Sequence, residues 1–154
     1  MTNSESISIR SLNADERVAH LIKDAYKVLS SGLQARLKQH GVAYGHWTFL
    51  RILWKTDGLT QRQLSDLAGV KEPTTFSALQ DMERLGYVMR QKMPENRKQV
   101  RVFLLPKGAA LRATLVPAAE EMNTIALRGI PADHIAITKA TLLSIIENMH
   151  ARVE

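Results

Sequence analysis

Apolar residues recur at helical spacing along the first quarter of the chain. Val18, Leu21, Ile22, Ala25, Leu29 and Leu33 share one side of a helical projection, which predicts a helix over 14–39. Asn13 with Glu16 three residues later is an N-cap pattern, and Gly41 is a stop. A second helix is predicted over 45–56 from Trp47, Leu50, Leu53 and Trp54, ended by Asp57-Gly58. Thr60-Gln61-Arg62-Gln63 is a capping-box pattern opening a third helix, with Leu64, Leu67 and Ala68 as its buried side. After the short turn Gly69–Glu72, Pro73 suits the first turn of a fourth helix over 73–85, whose inner face is Thr75, Ala78, Leu79 and Met82.

The period then changes. Tyr87, Val88 and Met89 lead into a polar stretch, Lys92 to Gln99, after which Val100, Val102 and Leu104 alternate with Arg101 and Phe103. That alternation predicts a β-hairpin with an exposed tip. Helical spacing returns over 107–128, where Leu111, Leu115, Ala118, Met122 and Ile125 make a coiled-coil-like seam that Pro117 is expected to kink. Gly129-Ile130-Pro131 separates it from a last helix over 132–151, carrying Ile135, Leu142, Leu143, Ile145, Ile146 and Met149. The expected fold class is mainly α with a small β-hairpin. Residues 1–12 read as a flexible N-terminal tail.

Two short helices joined by a four-residue turn containing glycine are a helix-turn-helix, whose second helix can lie in a DNA major groove. With Thr75, Ala78, Leu79 and Met82 turned inward, that helix presents Thr74, Phe76, Ser77 and Gln80, with Lys71 just before it and Arg62 on the preceding helix. Hydroxyl and amide groups read base edges, and a phenyl ring can meet thymine methyls. Phe76 can equally pack on a neighbouring element. A hairpin directly after the recognition helix is a wing. Its tip residues Arg97 and Lys98, with Arg90 on its first strand, suit phosphates or a minor groove.

Charge strengthens this picture. The 154-residue chain carries a formal net charge of +6. From Arg84 to Lys107 there are seven basic residues and one acid, Glu95. Focused positive charge favours a polyanion as partner. The chain has no cysteine, so thiolate metal sites, thiol redox sensing and cysteine nucleophiles are excluded. No phosphate-binding glycine loop or hydrolase signature is present, and the five histidines are scattered. The chain is therefore not expected to be an enzyme or to need a cofactor. No apolar run reaches the ~18 residues of a membrane span, and the start of the chain lacks the apolar middle of a signal peptide. No membrane association and a cytoplasmic location are expected.

The segments HWTFLRILWKTDGLTQRQLSDLAGV, PTTFSALQDMERLGYV and RQKMPENRKQVRVFLLPKG together resemble the MarR family of bacterial transcriptional regulators. The resemblance implies a winged helix-turn-helix over 45–105, with 13–44 and 106–154 forming a helical dimerisation region. It implies a homodimer that binds a pseudo-palindromic double-stranded DNA operator, more often as a repressor. It also implies a small effector, such as an aromatic acid or a related thioester, bound between the dimer helices and the DNA-binding unit. Tyr26, His46, Trp47, Arg51 and Trp54 are the candidate effector residues: an arginine can hold a carboxylate and rings can stack. Trp47 and Trp54 also suit a plain core, Arg51 a surface charge, and His46 a helix cap. The family's wing tip usually reads Asp-x-Arg; here the matching positions are Asn96, Arg97 and Lys98. Two other readings are a winged helix used for protein contact and a regulator that senses a metal through distant histidines and carboxylates.

Overall fold

The computed structural model describes residues 8–152. Its elements run α1 (Ile9–Leu12), α2 (Val18–Gln39), α3 (Tyr44–Lys55), β1 (Leu59–Thr60), α4 (Gln61–Ala68), α5 (Glu72–Arg84), β2 (Val88–Lys92), β3 (Val100–Leu104), α6 (Pro106–Ala110), α7 (Arg112–Ala126) and α8 (Ala132–His150). The three strands form one antiparallel sheet in the order β1-β3-β2.

The capping box forms as predicted. Thr60 Oγ1 accepts from the Gln63 N–H at 3.1 Å, and Gln63 Oε1 accepts from the Thr60 N–H at 2.9 Å. Two amides that a helix start leaves unpaired are thereby satisfied. Gly69 ends α4 with φ +67°, the left-handed conformation a glycine adopts without steric cost. The chain then turns into α5, where Thr75, Leu79 and Met82 are fully buried. Between the two helices the Ser65 hydroxyl donates to Thr75 Oγ1 at 2.7 Å, out of contact with water. This buried bond links α4 to α5, while each hydroxyl also lies within reach of a backbone carbonyl, Gln61 for Ser65 and Lys71 for Thr75.

The core gathers Leu37 of α2, Phe49, Leu50 and Leu53 of α3, and Leu64, Leu79, Met82, Val88 and Val102 around the sheet, with Leu115 of α7 against them. Each of these removes most of a large apolar side chain from water, at about 1.5–3 kcal/mol apiece before the cost of ordering the chain. α2 and α7 pack closely, with Gly32 leaving room for the Met122 methyl and Arg36 bridging to Glu121 at 2.6 Å.

The mainly α fold with its β2–β3 hairpin forms as expected; four expectations need correction, and the hairpin gains a strand. Residues Ile9–Leu12 form a single helical turn in the segment read as a tail; residues 1–7 lie outside the described residues. Asn13 does not cap the long helix: its side-chain amide donates to the Ile9 carbonyl at 2.9 Å, closing α1 instead, and the long helix starts at Val18. The wing is more than a hairpin, because Leu59–Thr60 adds a third strand paired with Val102 and Arg101. A two-residue strand is too short to show alternation. Leu67 is exposed, and the position next to Leu64 on the inner face is taken by Ser65, drawn in by its bond to Thr75.

The last correction concerns 107–128. The helix continues through Pro117, and its break falls at Leu111, whose carbonyl accepts from both the Thr114 and Leu115 amides at 3.1 and 2.9 Å. Proline removes one ladder bond, but burial of Leu115 and Ala118 on either side holds the helix together. Those two residues are satisfied within the chain, whereas Ile125 further along the seam stays exposed.

Candidate nucleic-acid interface and ligand cavity

The outward face of α5 is the first part of the site. Thr74, Phe76, Ser77 and Gln80 all point to solvent, and Lys71, the residue that caps the helix, is exposed beside them. Helical geometry explains this: the inner positions 75, 79 and 82 fix the rotation, so 74, 77 and 80 must face out. Phe76 is 47% exposed, and its ring is partly covered by the Arg90 guanidinium, whose carbon sits 4.9 Å from the ring centroid. The ring therefore packs in part on a neighbouring strand residue, and the rest of it stays exposed.

The wing is the second part. Its strands pair Arg90 with Val102 and Lys92 with Val100, and Met93 is tied to Gln99 across the tip. Asn96 Oδ1 accepts from the Lys98 N–H at 3.2 Å, so this side chain shapes the turn in place of holding a neighbouring arginine. Arg97 and Lys98 are exposed at the tip. A polar cleft of about 330 Å³ separates the wing from the start of α4 and is lined by Arg62, Glu72 and Lys98 among others.

The basic run from Arg84 to Lys107 divides into two groups. Arg84 pairs with Asp81, Arg90 with Glu83, the Arg101 guanidinium donates to the Gly58 carbonyl, and Lys107 donates to the Leu85 carbonyl. The side chains of Lys92, Arg97 and Lys98 make no hydrogen bond or ion pair among the described residues. The uncommitted charge thus lies in the outer half of the wing. Arg90, read from the sequence as a DNA contact, is held instead by both oxygens of Glu83: its backbone N–H and its guanidinium each donate at 2.9 Å. Those bonds hold the Glu83 carboxyl below its ordinary value, against the opposing effect of burial.

A separate cavity of about 510 Å³ lies between α2, α3, α4 and α5. Tyr26, Trp47 and Arg51 line it, as do Tyr44, Thr48 and Leu33, which the sequence reading missed. A signal for two of them existed: Tyr44, Trp47, Thr48 and Arg51 are spaced i, i+3, i+4, i+7 and so share a helix face. The Tyr26 and Tyr44 hydroxyls are hydrogen-bonded at 3.1 Å. Burial, then the bond to Tyr26, pushes the Tyr44 hydroxyl up to about 12, so it stays neutral. Arg51 makes no hydrogen bond or ion pair among the described residues. Thr74 and Ala78 of α5 form part of the same wall.

His46 and Trp54 do not join this cavity. His46 stands edge-on to Tyr87 at 6.4 Å and faces a shallow cleft beside Ser77 and Asp81, and burial lowers its proton affinity. Trp54 packs edge-on against Trp47 at 5.7 Å and its indole N–H donates to the Gly108 carbonyl at 3.0 Å. That makes it a core residue tying α3 to α6. Gly108 has no substitute there, since a Cβ would overlap the Tyr87 carbonyl.

A third feature is an apolar groove of about 520 Å³ between α2 and α8, walled by Val18, Leu21, Ile22, Leu29, Ile137 and Leu142 among others. No residue of α8 is fully buried, although Ile135 and Ile145 are partly covered; Leu143 is 60% exposed. No helix of the described residues is long and apolar enough to cross a membrane. No group of three His, Asp or Glu side chains suited to a metal gathers among them.

Residues 43–100 match the model of the MarR family. The HTH-type transcriptional regulator TtmR of Methylorubrum extorquens (strain PA1) is 25% identical over 134 residues, which is 87% of this chain and 64% of that relative. The chain thus spans less than two thirds of that relative's length. A MarR transcriptional regulator from Methanosarcina mazei Go1 has a similar structure, with TM-score 0.80 and 27% identity over 87% of this chain and 96% of that one. A Listeria monocytogenes protein assigned to the MarR family, complexed with 26mer DNA, shares the fold at TM-score 0.80 and 22% identity, over 87% of this chain and 89% of that one.

Proposed function

We propose that this chain, whose residues 43–100 match the model of the MarR family and whose fold is that of a MarR transcriptional regulator, is a regulator of that family that binds double-stranded DNA in the cytoplasm as a homodimer and represses transcription from a pseudo-palindromic operator. The observation that carries this reading is the outward face of α5, polar except for Phe76, standing beside a wing whose uncommitted positive charge lies at its outer end. α5 enters the major groove, where Ser77 and Gln80 read base edges and Thr74 and Lys71 meet the backbone. Arg97 and Lys98 reach the flanking phosphates or minor groove, and Arg62 grips from α4. The likeness to a fold solved with DNA in another protein supports the same placement.

Residues 45–105 form the DNA-binding unit, and 13–44 with 106–154 the dimerisation region. Exposed apolar side chains on α2 and α8 support this division, because a monomer would leave an unusually large apolar surface in water. A small organic anion is the effector. The cavity suits one: Arg51 supplies charge, one hydroxyl of the Tyr26–Tyr44 pair is left to donate, and Trp47 provides a flat wall. Its walls belong to both α2 and α5, so an occupant that prefers one arrangement of these helices shifts the population away from the operator-binding form.

Selection of bound duplexes from a random library tests the reading, followed by titration at two salt concentrations. A pseudo-palindrome with half-sites about one helical turn apart, and affinity falling steeply with salt, is the expected result. A folded dimer that enriches no motif would mean a nonspecific binder or a protein-contact module.

A further inference from the structure

We propose that Glu83 and Arg90 are positioning residues that lock the wing to the recognition helix, and that Arg90 acts on DNA through Phe76 and not by gripping a phosphate. The proposal rests on the DNA-binding reading for its consequence, although the lock itself is visible without DNA.

The geometry is specific. Phe76 and Glu83 are seven residues apart on α5 and so lie on one face of the helix, with Gln80 between them. Arg90 sits at the middle of β2, paired with Val102. Its main chain and its side chain both donate to Glu83, one to each carboxylate oxygen, at 2.9 Å. The planar guanidinium then continues to Phe76, lying 4.9 Å from the ring centroid. One strand residue is therefore fixed to the helix at two points about 10 Å apart along its axis. The side chains of Arg90 and Glu83 are only 18% and 32% exposed, which limits their screening by water.

Two consequences follow for recognition. The angle between α5 and the wing, which determines whether groove and flanking phosphates are met together, is set by this contact and not by the turn after α5 alone, where Gly86 takes the left-handed conformation at φ +78°. The Phe76 ring is held at the proposed DNA-facing surface by a guanidinium placed over it, a contact arginine makes better than lysine. Arg90 is already neutralised by Glu83, so it releases no counterion from DNA.

Three conservative variants separate this from a phosphate contact, each first shown to retain the parent's helical circular dichroism. Arg90→Lys keeps the charge and the backbone bond to Glu83 but loses the flat guanidinium that reaches Glu83 and Phe76 at once. It should lower the ratio of operator to random-duplex affinity about tenfold. A phosphate contact would survive that change. Glu83→Gln removes a negative charge, so a purely electrostatic role predicts tighter binding to every duplex; the lock predicts a similar fall in the ratio. Arg90→Gln should leave the salt slope unchanged, whereas loss of a phosphate contact would flatten it by about 0.9 per site.

The readout without DNA uses spin labels at Ser77→Cys and Gln91→Cys, introduced cleanly because the chain has no cysteine. Diluting labelled chain with unlabelled chain confines the distance to one subunit. The distance distribution should broaden in Arg90→Lys and Glu83→Gln. An unchanged distribution in both overturns the proposal whatever the DNA result. Broadening with unchanged operator preference overturns its role in recognition. Failure of the unaltered protein to select any duplex would instead overturn the DNA reading, with the distance measurement still deciding the lock.

Discussion

Arg97 and His46 show how differently two polar residues near the interface behave. Arg97 is exposed at the wing tip and has no intramolecular partner among the described residues. Arg97→Ala should weaken binding to operator and random DNA alike, and reduce the slope of log affinity against log salt by about 0.9 for each arginine lost. An unchanged slope in a filter-binding or fluorescence titration would remove Arg97 from the interface. His46 is half-buried, and burial favours its neutral form over the ordinary value of 6.5. The folded chain therefore binds its proton less readily than the unfolded one. The stability this contributes is complete above about pH 6.5 and drains away as pH falls below it. Denaturation midpoints between pH 7 and pH 5 should fall less steeply for His46→Gln than for the unaltered protein; parallel curves would contradict the burial effect. Neither behaviour is written in residue type. A sequence shows that a charge is present, but not whether Asp81, Glu83 or a carbonyl also holds it, as Glu83 holds Arg90.

Among the elements, those with strong period and distinct ends were legible. The capping box of α4 and the inner face of α5 could be placed to the residue, because each rests on contacts within one or two helical turns. Thr60→Ala should cost about 1 kcal/mol of stability in urea denaturation, through the lost cap of Gln63. A cost near zero would mean the cap is replaced by water. What escaped was set by distant partners. β1 exists because Leu59 and Thr60 meet Val102 and Arg101, some forty residues later. Ser65 turns inward and Leu67 outward because Thr75 offers a hydroxyl. The helix over 112–126 survives Pro117 because α2 packs on it. The candidate cavity was half legible: Tyr26, Trp47 and Arg51 meet there, while Trp54 goes to Gly108 and His46 to Tyr87.

At the scale of the whole molecule, the apolar residues of α2 and α8 make a testable surface. Leu143 buries little in the single chain, so Leu143→Glu leaves the core untouched. On the proposed homodimer, it should give a folded monomer in sedimentation velocity where the unaltered chain gives a dimer, and weaken operator binding by far more than random-duplex binding, since only paired half-sites depend on the proposed dimer. A dimeric variant of unchanged stability would place the interface elsewhere. The same whole-molecule view gives the paired indoles a practical meaning. The chain has two tryptophans. Trp47 walls the cavity, and Trp54 is anchored through its N–H where the wing passes into α6. They touch edge-on, so their emission is shared, and it is sensitive at one end to cavity occupancy and at the other to movement of the wing. If the proposed effector enters this cavity and shifts α5 and the wing, the unaltered protein should show two kinetic phases in its own ultraviolet fluorescence, one for entry and one for the shift.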